Sequence, residues 1–388
     1  MSTLPSLAQV SCGLRSDDSE STTTTSHLQA IRREILQIDR YEPPFADRSI
    51  INLSLNEHYA LPSPRVRQAL RELDPMRLVT YDTELAAELK AAIAAREGVA
   101  TDNVLLAAGS SSALHLLLSS LSKGPLLLPA ICWSYYLSLS RICGLSTAEY
   151  SMIKRSDRFD VDEGSVVRAI RRHAPALSLF INPHMPTGAL ANNDFLLECA
   201  ESSRQGVILV DEAYHGFSPA MISIAPRVLD HPNLIVSRTF SKAFGLAGIR
   251  IGYLIASAPV IAELDKAAPP FSVPFVSASL ALAALESEPY YRAQAVELMA
   301  VKVEFARRVQ QIPGVQPYLS HGNFLLVELA DAEAASRAER EIKAAGVAVR
   351  SARSYGLPSL LRISVGPGAA MARVASVLEG SQRCDAAI

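Results

Sequence analysis

Between residues 84 and 255, short runs rich in Val, Ile and Leu alternate with helix-forming stretches, and this alternation restricts the fold more than any other feature. Apolar runs of four to six residues read as buried strands, and strands separated by helices favour a largely parallel sheet covered by helices. The stretch 84–97 is alanine-rich and reads as a helix, 103–108 as a strand, 112–120 as a helix and 125–128 as a strand. Further strands are expected at 177–181, 206–210, 233–237 and 249–255.

Beyond this region a long helix is expected over 286–312, ended by Pro313 and Gly314. A strand at 324–329, a helix through 345 and strands at 347–349 and 361–365 follow. The expected organisation is α/β: a large domain over 66–283 built as a three-layer, mostly parallel sheet, with a smaller α+β domain over 284–388. An arm over 27–65, with a helix over 27–40 capped by Ser26 and a strand at 50–55, is expected to complete the small domain. Residues 1–26 include the polar, aperiodic run from Ser16 to Ser26, which buries too little apolar surface to order itself and is expected to be a disordered tail.

Composition narrows the partners. A chain of 388 residues with 49% hydrophobic and 20% charged residues is ordinary for a globular enzyme. With 37 basic and 39 acidic residues it has no electrostatic footprint for nucleic acid or an anionic membrane, so small-molecule substrates are expected. No stretch is apolar enough to span a bilayer, and the N-terminus lacks the order of a secretory signal. Five irregularly spaced cysteines argue against a disulfide framework or a metal site and favour the cytoplasm.

The chemistry centres on Lys242, in Thr239-Phe240-Ser241-Lys242-Ala243-Phe244-Gly245, between two expected buried strands and eight residues before Arg250. An amine next to hydroxyls and an arginine suggests an aldehyde cofactor carrying a phosphate, pyridoxal 5′-phosphate, because a neutral lysine condenses with an aldehyde to an aldimine. Asp211 closes an apolar strand, where α/β sheets place ligands, and suits a protonated pyridine nitrogen. Tyr214, three residues on, is a candidate donor to the cofactor's phenolic oxygen, as is Asn182 in the two-proline turn Asn182-Pro183-His184-Met185-Pro186-Thr187-Gly188.

Gly109, Ser110 and Ser111 lie between a strand and a helix, so their N–H groups outline a phosphate cradle shared with Thr239, Ser241 and Arg250. Trp133, Tyr135 and Tyr136 form the only dense aromatic group with a tryptophan; one stacks on the pyridine ring and core packing is expected for the others. Arg362 is a charge in an apolar strand and must be paired, either structurally or with a substrate carboxylate, with Asn323 assisting. His184 and His215 read as ordinary loop histidines, since Lys242 already supplies a base.

The runs 241–253, 211–214 and 182–188 together resemble the fold-type-I, class I/II pyridoxal-phosphate aminotransferases, and most of all the histidinol-phosphate aminotransferase branch, over 52–366. The resemblance implies Lys242 as the aldimine lysine, Asp211 on the pyridine nitrogen, Asn182 and Tyr214 on the phenolic oxygen, and Ser110, Ser111, Thr239, Ser241 and Arg250 on the phosphate. It also implies a homodimer with shared sites, Tyr81 reaching the neighbouring subunit's phosphate, and a substrate pocket with Arg362, Asn323, Asn56 and Tyr59. The loop 57–61 and the pair Tyr81-Asp82 depart from that branch, so the motifs specify fold and cofactor more tightly than substrate.

An aminotransferase moving an amino group between an L-amino acid and a 2-oxo acid is the expected activity. The alternative is another pyridoxal-phosphate reaction on the same fold: decarboxylation, elimination, replacement or cyclisation. A transcription regulator is disfavoured, because 26 polar tail residues do not supply a DNA-binding domain.

Overall fold

A computed structural model of the chain describes residues 30–40, 49–122, 124–203 and 205–385. The tail expected at 1–26 and the proposed Ser26 cap lie outside these. Seven strands form the main sheet, in the spatial order Val104–Ala107, Gly252–Ile255, Leu234–Thr239, Val207–Asp211, Leu177–Ile181, Leu126–Pro129 and Thr147–Tyr150. The last five run parallel, and Gly252–Ile255 alone is antiparallel to both its neighbours. In Leu177–Ile181 every residue is buried, and in Val207–Asp211 all but the first, so both faces of the sheet are covered. Helices Ser110–Ser120, Glu163–His173 and Asn193–Ser202 supply part of that cover.

Register decides where the functional side chains end up. Ile181 pairs with Asp211, and Asp211 with Ser237, so two parallel strands finish at one level while the third, Leu234–Thr239, runs two residues past it. That third strand ends at Thr239 and the chain returns as Gly252–Ile255, with Thr239 opposite Gly252. Lys242 and Arg250 therefore sit in the loop joining these strands, at the same sheet edge as Asp211.

A four-stranded antiparallel sheet, ordered Gln316–Pro317, Phe324–Glu328, Leu360–Ser364 and Arg350–Ser351, forms a second, smaller layer with helices Ala332–Ala344 and Gly368–Asp385. The arm joins it: Ile51–Asn52 pairs in parallel with Val347–Ala348, and Ser364 N–H donates to Leu53 O at 2.9 Å.

Four sequence expectations need correction. The long helix expected over 286–312 is present as Glu288–Val309, starting two residues later because Pro289 lacks an N–H and suits a first turn, which also separates it from the preceding helix Phe275–Glu286. The strand at 249–255 begins only at Gly252, since Arg250 has a left-handed backbone, φ 52°. Within the described part of the helix expected at 27–40, residues 30–40, the α-helix is Arg33–Leu36, which buries no residue, and the strand at 50–55 is reduced to Ile51–Asn52.

Beneath the Lys242 loop, Arg238 is buried between two carboxylates, Glu212 at 2.7 Å and Glu97 at 3.3 Å, and also donates to Ser223 Oγ and His215 Nδ1, both at 2.6 Å. Tyr253 completes the cluster through a 2.8 Å bond to Glu97. Removing the cation leaves the buried Glu212 without a cationic partner, while Glu97 keeps its ion pair with Arg96. Arg238→Met is expected to lower the unfolding free energy by about 3–5 kcal/mol, read as a fall in urea midpoint at constant m. A loss below about 1 kcal/mol would show that Glu212 finds another partner.

Candidate active site

The ends of the sheet strands and the rim of the small sheet enclose a cavity of about 270 Å³. Lys242, Asp211, Tyr214, Trp133, Ser110, Ser111, Thr239, Ser241, Arg250, Asn56 and Arg362 all line it. Eleven side chains singled out from the sequence, from segments spread between residues 56 and 362, are thus brought to one place.

Lys242 Nζ donates to the main-chain oxygens of Leu55 at 2.9 Å and Asn56 at 3.1 Å. Burial, then the charges of Arg362 and Arg250, lower its pKa to about 8, against the opposing pull of Glu57. A lowered pKa gives a larger neutral fraction near neutrality, the form that attacks a carbonyl. Tyr214 accepts a 2.9 Å bond from Asn56 Nδ2, so its own proton remains available to a ligand. Burial pushes the Tyr214 phenol up to about 12, although Arg362 pulls it down. Asp211 is buried, receives bonds from Tyr136 Oη at 2.6 Å and Ala213 N–H at 3.0 Å, and has its pKa raised by burial.

The opposite wall is built for an anion. Ser110 and Ser111 open helix Ser110–Ser120, so their N–H groups have no acceptor four residues back. Gly109, φ 87°, lets the Arg250 guanidinium pass: a Cβ there would lie 2.3 Å from Nη2. The Arg250 guanidinium is steadied by Ala247 O at 3.0 Å and Ser241 Oγ at 3.4 Å.

Arg362 has 6% of its surface exposed, and its bonds go to Tyr355 Oη at 3.1 Å, Met185 Sδ at 3.1 Å and Ser54 O. Its Nε is buried without a partner, and none of these groups is a carboxylate. Such a cation is suited to an incoming anion.

Other candidates do not reach the cavity. Asn182 spends its amide on Ala191, accepting at 2.9 Å and donating at 3.3 Å, and Met185 of the same turn lines the cavity instead. Asn323 is buried and donates to Asn56 O at 3.1 Å, bracing the loop rather than facing a ligand. Tyr59 gives its hydroxyl to Asn52 O within its own loop. Tyr81 is 81% exposed and stacks on Phe271 at 4.5 Å, away from this cavity.

His184, buried, and His215, half-buried, are neutral parts of the framework, their pKa values lowered to about 3 and about 2 chiefly by desolvation. Sequence reasoning missed Arg350, Met185 and Tyr355 in the lining, placed Glu57 only within the substrate-facing loop 57–61, and offered Tyr136 ring stacking or core packing rather than a bond to Asp211. Arg350 had a signal: it interrupts the apolar run from Val347, as Arg362 interrupts its own strand, and the two pair across the small sheet.

Comparison with known proteins settles what kind of site this is. Residues 48–379 match the family described as aminotransferase class I and II. The chain belongs to that family. It is 29% identical over 343 residues to the histidinol-phosphate aminotransferase of Methylibium petroleiphilum, covering 87% of this chain and 90% of that one. With the histidinol-phosphate aminotransferase of an Acidovorax species it shares 31% over 376 residues, 93% of this chain and all of the other. The histidinol-phosphate aminotransferase of Sinorhizobium meliloti, solved with pyridoxal 5′-phosphate, superposes with a TM-score of 0.79 at 24% identity, covering 87% of this chain and 92% of that one. The chain is an aminotransferase dependent on pyridoxal 5′-phosphate, and the amine, acid and anion cradle on the cavity wall fit that cofactor.

The depressed amine pKa makes a direct expectation. Cofactor capture by the apoenzyme, followed by stopped-flow absorbance, should accelerate with pH and level off above about 8. Arg362→Gln removes a positive neighbour, raises the Lys242 pKa and should move the plateau to higher pH. A rate still rising without a bend at about pH 10, the ordinary lysine range, would contradict the reading.

Proposed function

We propose that this aminotransferase takes its amino group from a donor whose anionic end is gripped by Arg362 and Arg350, and passes it to a 2-oxo acid in a two-stage exchange. The observation that carries this reading is a single cavity holding a half-buried amine, a buried carboxylate and two arginines with no acidic partner among the described residues. Pyridoxal phosphate, when bound, supplies the aldehyde that takes up the amino group and a ring that withdraws electrons from the α-carbon. The chain does the rest. Ser110, Ser111, Thr239, Ser241 and Arg250 hold the phosphate, Trp133 covers the ring, Asp211 balances the ring nitrogen and Tyr214 donates to the phenolic oxygen.

Lys242 Nζ then receives and returns the proton removed from the substrate's α-carbon, a task suited to a base with a pKa near the working pH. Arg362 and Arg350 fix the donor so that this proton faces the lysine. The relatives are named for histidinol phosphate, and two facing arginines suit a phosphate as well as a carboxylate. In this reading the arm over 27–65 and the segment 284–388 form the small domain that presents these arginines to the large domain over 66–283.

The reading includes a homodimer in the cytoplasm. Its support is a set of exposed apolar side chains, Met76, Leu78 and Val79 from one short helix and Tyr81 stacked on Phe271, of the kind an isologous interface covers. Tyr81, remote from its own cavity, is free to reach the partner's phosphate cradle. The described cysteines are unpaired, and among the described residues no helix is long and apolar enough to cross a membrane.

Mixing holoenzyme with L-amino acids and with histidinol phosphate, without an acceptor, should bleach the visible band of the cofactor for the true donor. Lys242→Ala should lose turnover by roughly a thousandfold, as expected for loss of a positioned base. Normal turnover by that variant, or a band that no donor alters, would refute the mechanism. Sedimentation should give twice 41.8 kDa for the wild type and 41.8 kDa for Val79→Glu. A monomeric wild type would remove the shared-site proposal.

A further inference from the structure

Asp211 faces a conflict. Burial favours its neutral acid, yet only the carboxylate balances a protonated ring nitrogen. The groups that oppose this begin with two hydrogen bonds, from Tyr136 Oη to Oδ2 at 2.6 Å and from Ala213 N–H to Oδ1 at 3.0 Å, with a smaller pull in the same direction from the Ser237 hydroxyl. The backbone bond comes with the turn after the strand. The tyrosine is a separate provision: it projects from helix Ser134–Ile142 and is only 4% exposed.

Its ring stands edge-on to Trp133, with centroids 5.9 Å apart at 86°, so packing fixes the direction of the hydroxyl. The phenol also keeps its proton, because burial and the neighbouring carboxylate push its pKa far above the ordinary value. It is a donor at any pH the protein meets. A hydrogen bond from a neutral donor to a charged acceptor is shorter and stronger than one between neutral groups, as the 2.6 Å distance indicates.

We propose that Tyr136 is a positioning residue acting through Asp211, its hydroxyl holding that carboxylate ionised and aimed at the cofactor's ring nitrogen. This rests on the pyridoxal-phosphate reading of the cavity. It makes the aromatic segment 133–136 serve two ends: Trp133 covers the ring while Tyr136, one helical turn on, sets the acid at its nitrogen.

A double-mutant cycle on cofactor affinity tests it. Dissociation constants of pyridoxal phosphate are measured for the wild type, Tyr136→Phe, Asp211→Asn and the double variant. In the Asp211 background, Tyr136→Phe should weaken binding about tenfold, the worth of one hydrogen bond to a charged group. In the Asp211→Asn background the same change should cost less than about twofold, because the acceptor it serves is gone. Equal losses in both backgrounds, or no loss in either, would overturn the proposal. A wild type that binds no pyridoxal phosphate would instead contradict the reading of the cavity. Should Tyr136→Phe not be recovered folded, 3-fluorotyrosine at position 136 keeps the ring and strengthens the donor. It should then alter affinity in the Asp211 background and leave it unaltered with Asp211→Asn; the same response in both would overturn the proposal.

Discussion

The enclosure of one amine governs this structure. Lys242 Nζ is held against two main-chain carbonyls in a cavity where Arg362 and Arg250 carry its own sign and Glu57 only partly offsets them. An ammonium group kept there is disfavoured by desolvation and by repulsion, and both effects vanish when it gives up its proton. The fold holds the group that has to react in a place where its unreactive form is the less stable one. The loop geometry behind this is set by register: Thr239 opposite Gly252, with the lysine at the sheet edge where Asp211 ends its strand.

A second constraint ties the two sheets together around that amine. Asn56 adopts a left-handed backbone, φ 53°, and is almost fully buried. Its amide donates to Tyr214 and accepts from Ser364 Oγ at 2.8 Å, its N–H donates to the same hydroxyl at 2.8 Å, and its carbonyl takes bonds from Lys242 and Asn323. The arm, the large sheet and the small sheet therefore meet at one residue. A ligand that displaces Lys242 from this carbonyl acts on a junction shared by both layers, which gives the substrate loop a mechanical link to the arginines on the small sheet.

The sequence made the strands and the amine legible because buried strands and a lysine loop each have a local signature. Glu84–Glu97 and Leu177–Ile181 agree with expectation to the residue, since a glycine C-cap ends the helix and the strand is an apolar run, interrupted only by Ser178, that stops at Asn182-Pro183. The side-chain directions were less legible. Asn182 and Met185 share one turn, and only the packed turn decides which of them faces the cavity. Tyr136 looked like core because a buried phenol and a buried partner far apart in sequence leave no pattern to read. Asn323 and Tyr59 spend their polar atoms on the loop they support. The antiparallel strand and the left-handed Arg250 came from the anion cradle, a tertiary demand that overrode local propensity.

One covalent experiment bears most directly on the central claim. Borohydride reduction of the holoenzyme fixes the cofactor to whichever amine carries it, and digestion followed by mass spectrometry reads the attachment site. The account predicts a single modified peptide, with the added group on Lys242. Modification at another lysine, or no modification at all, would contradict it.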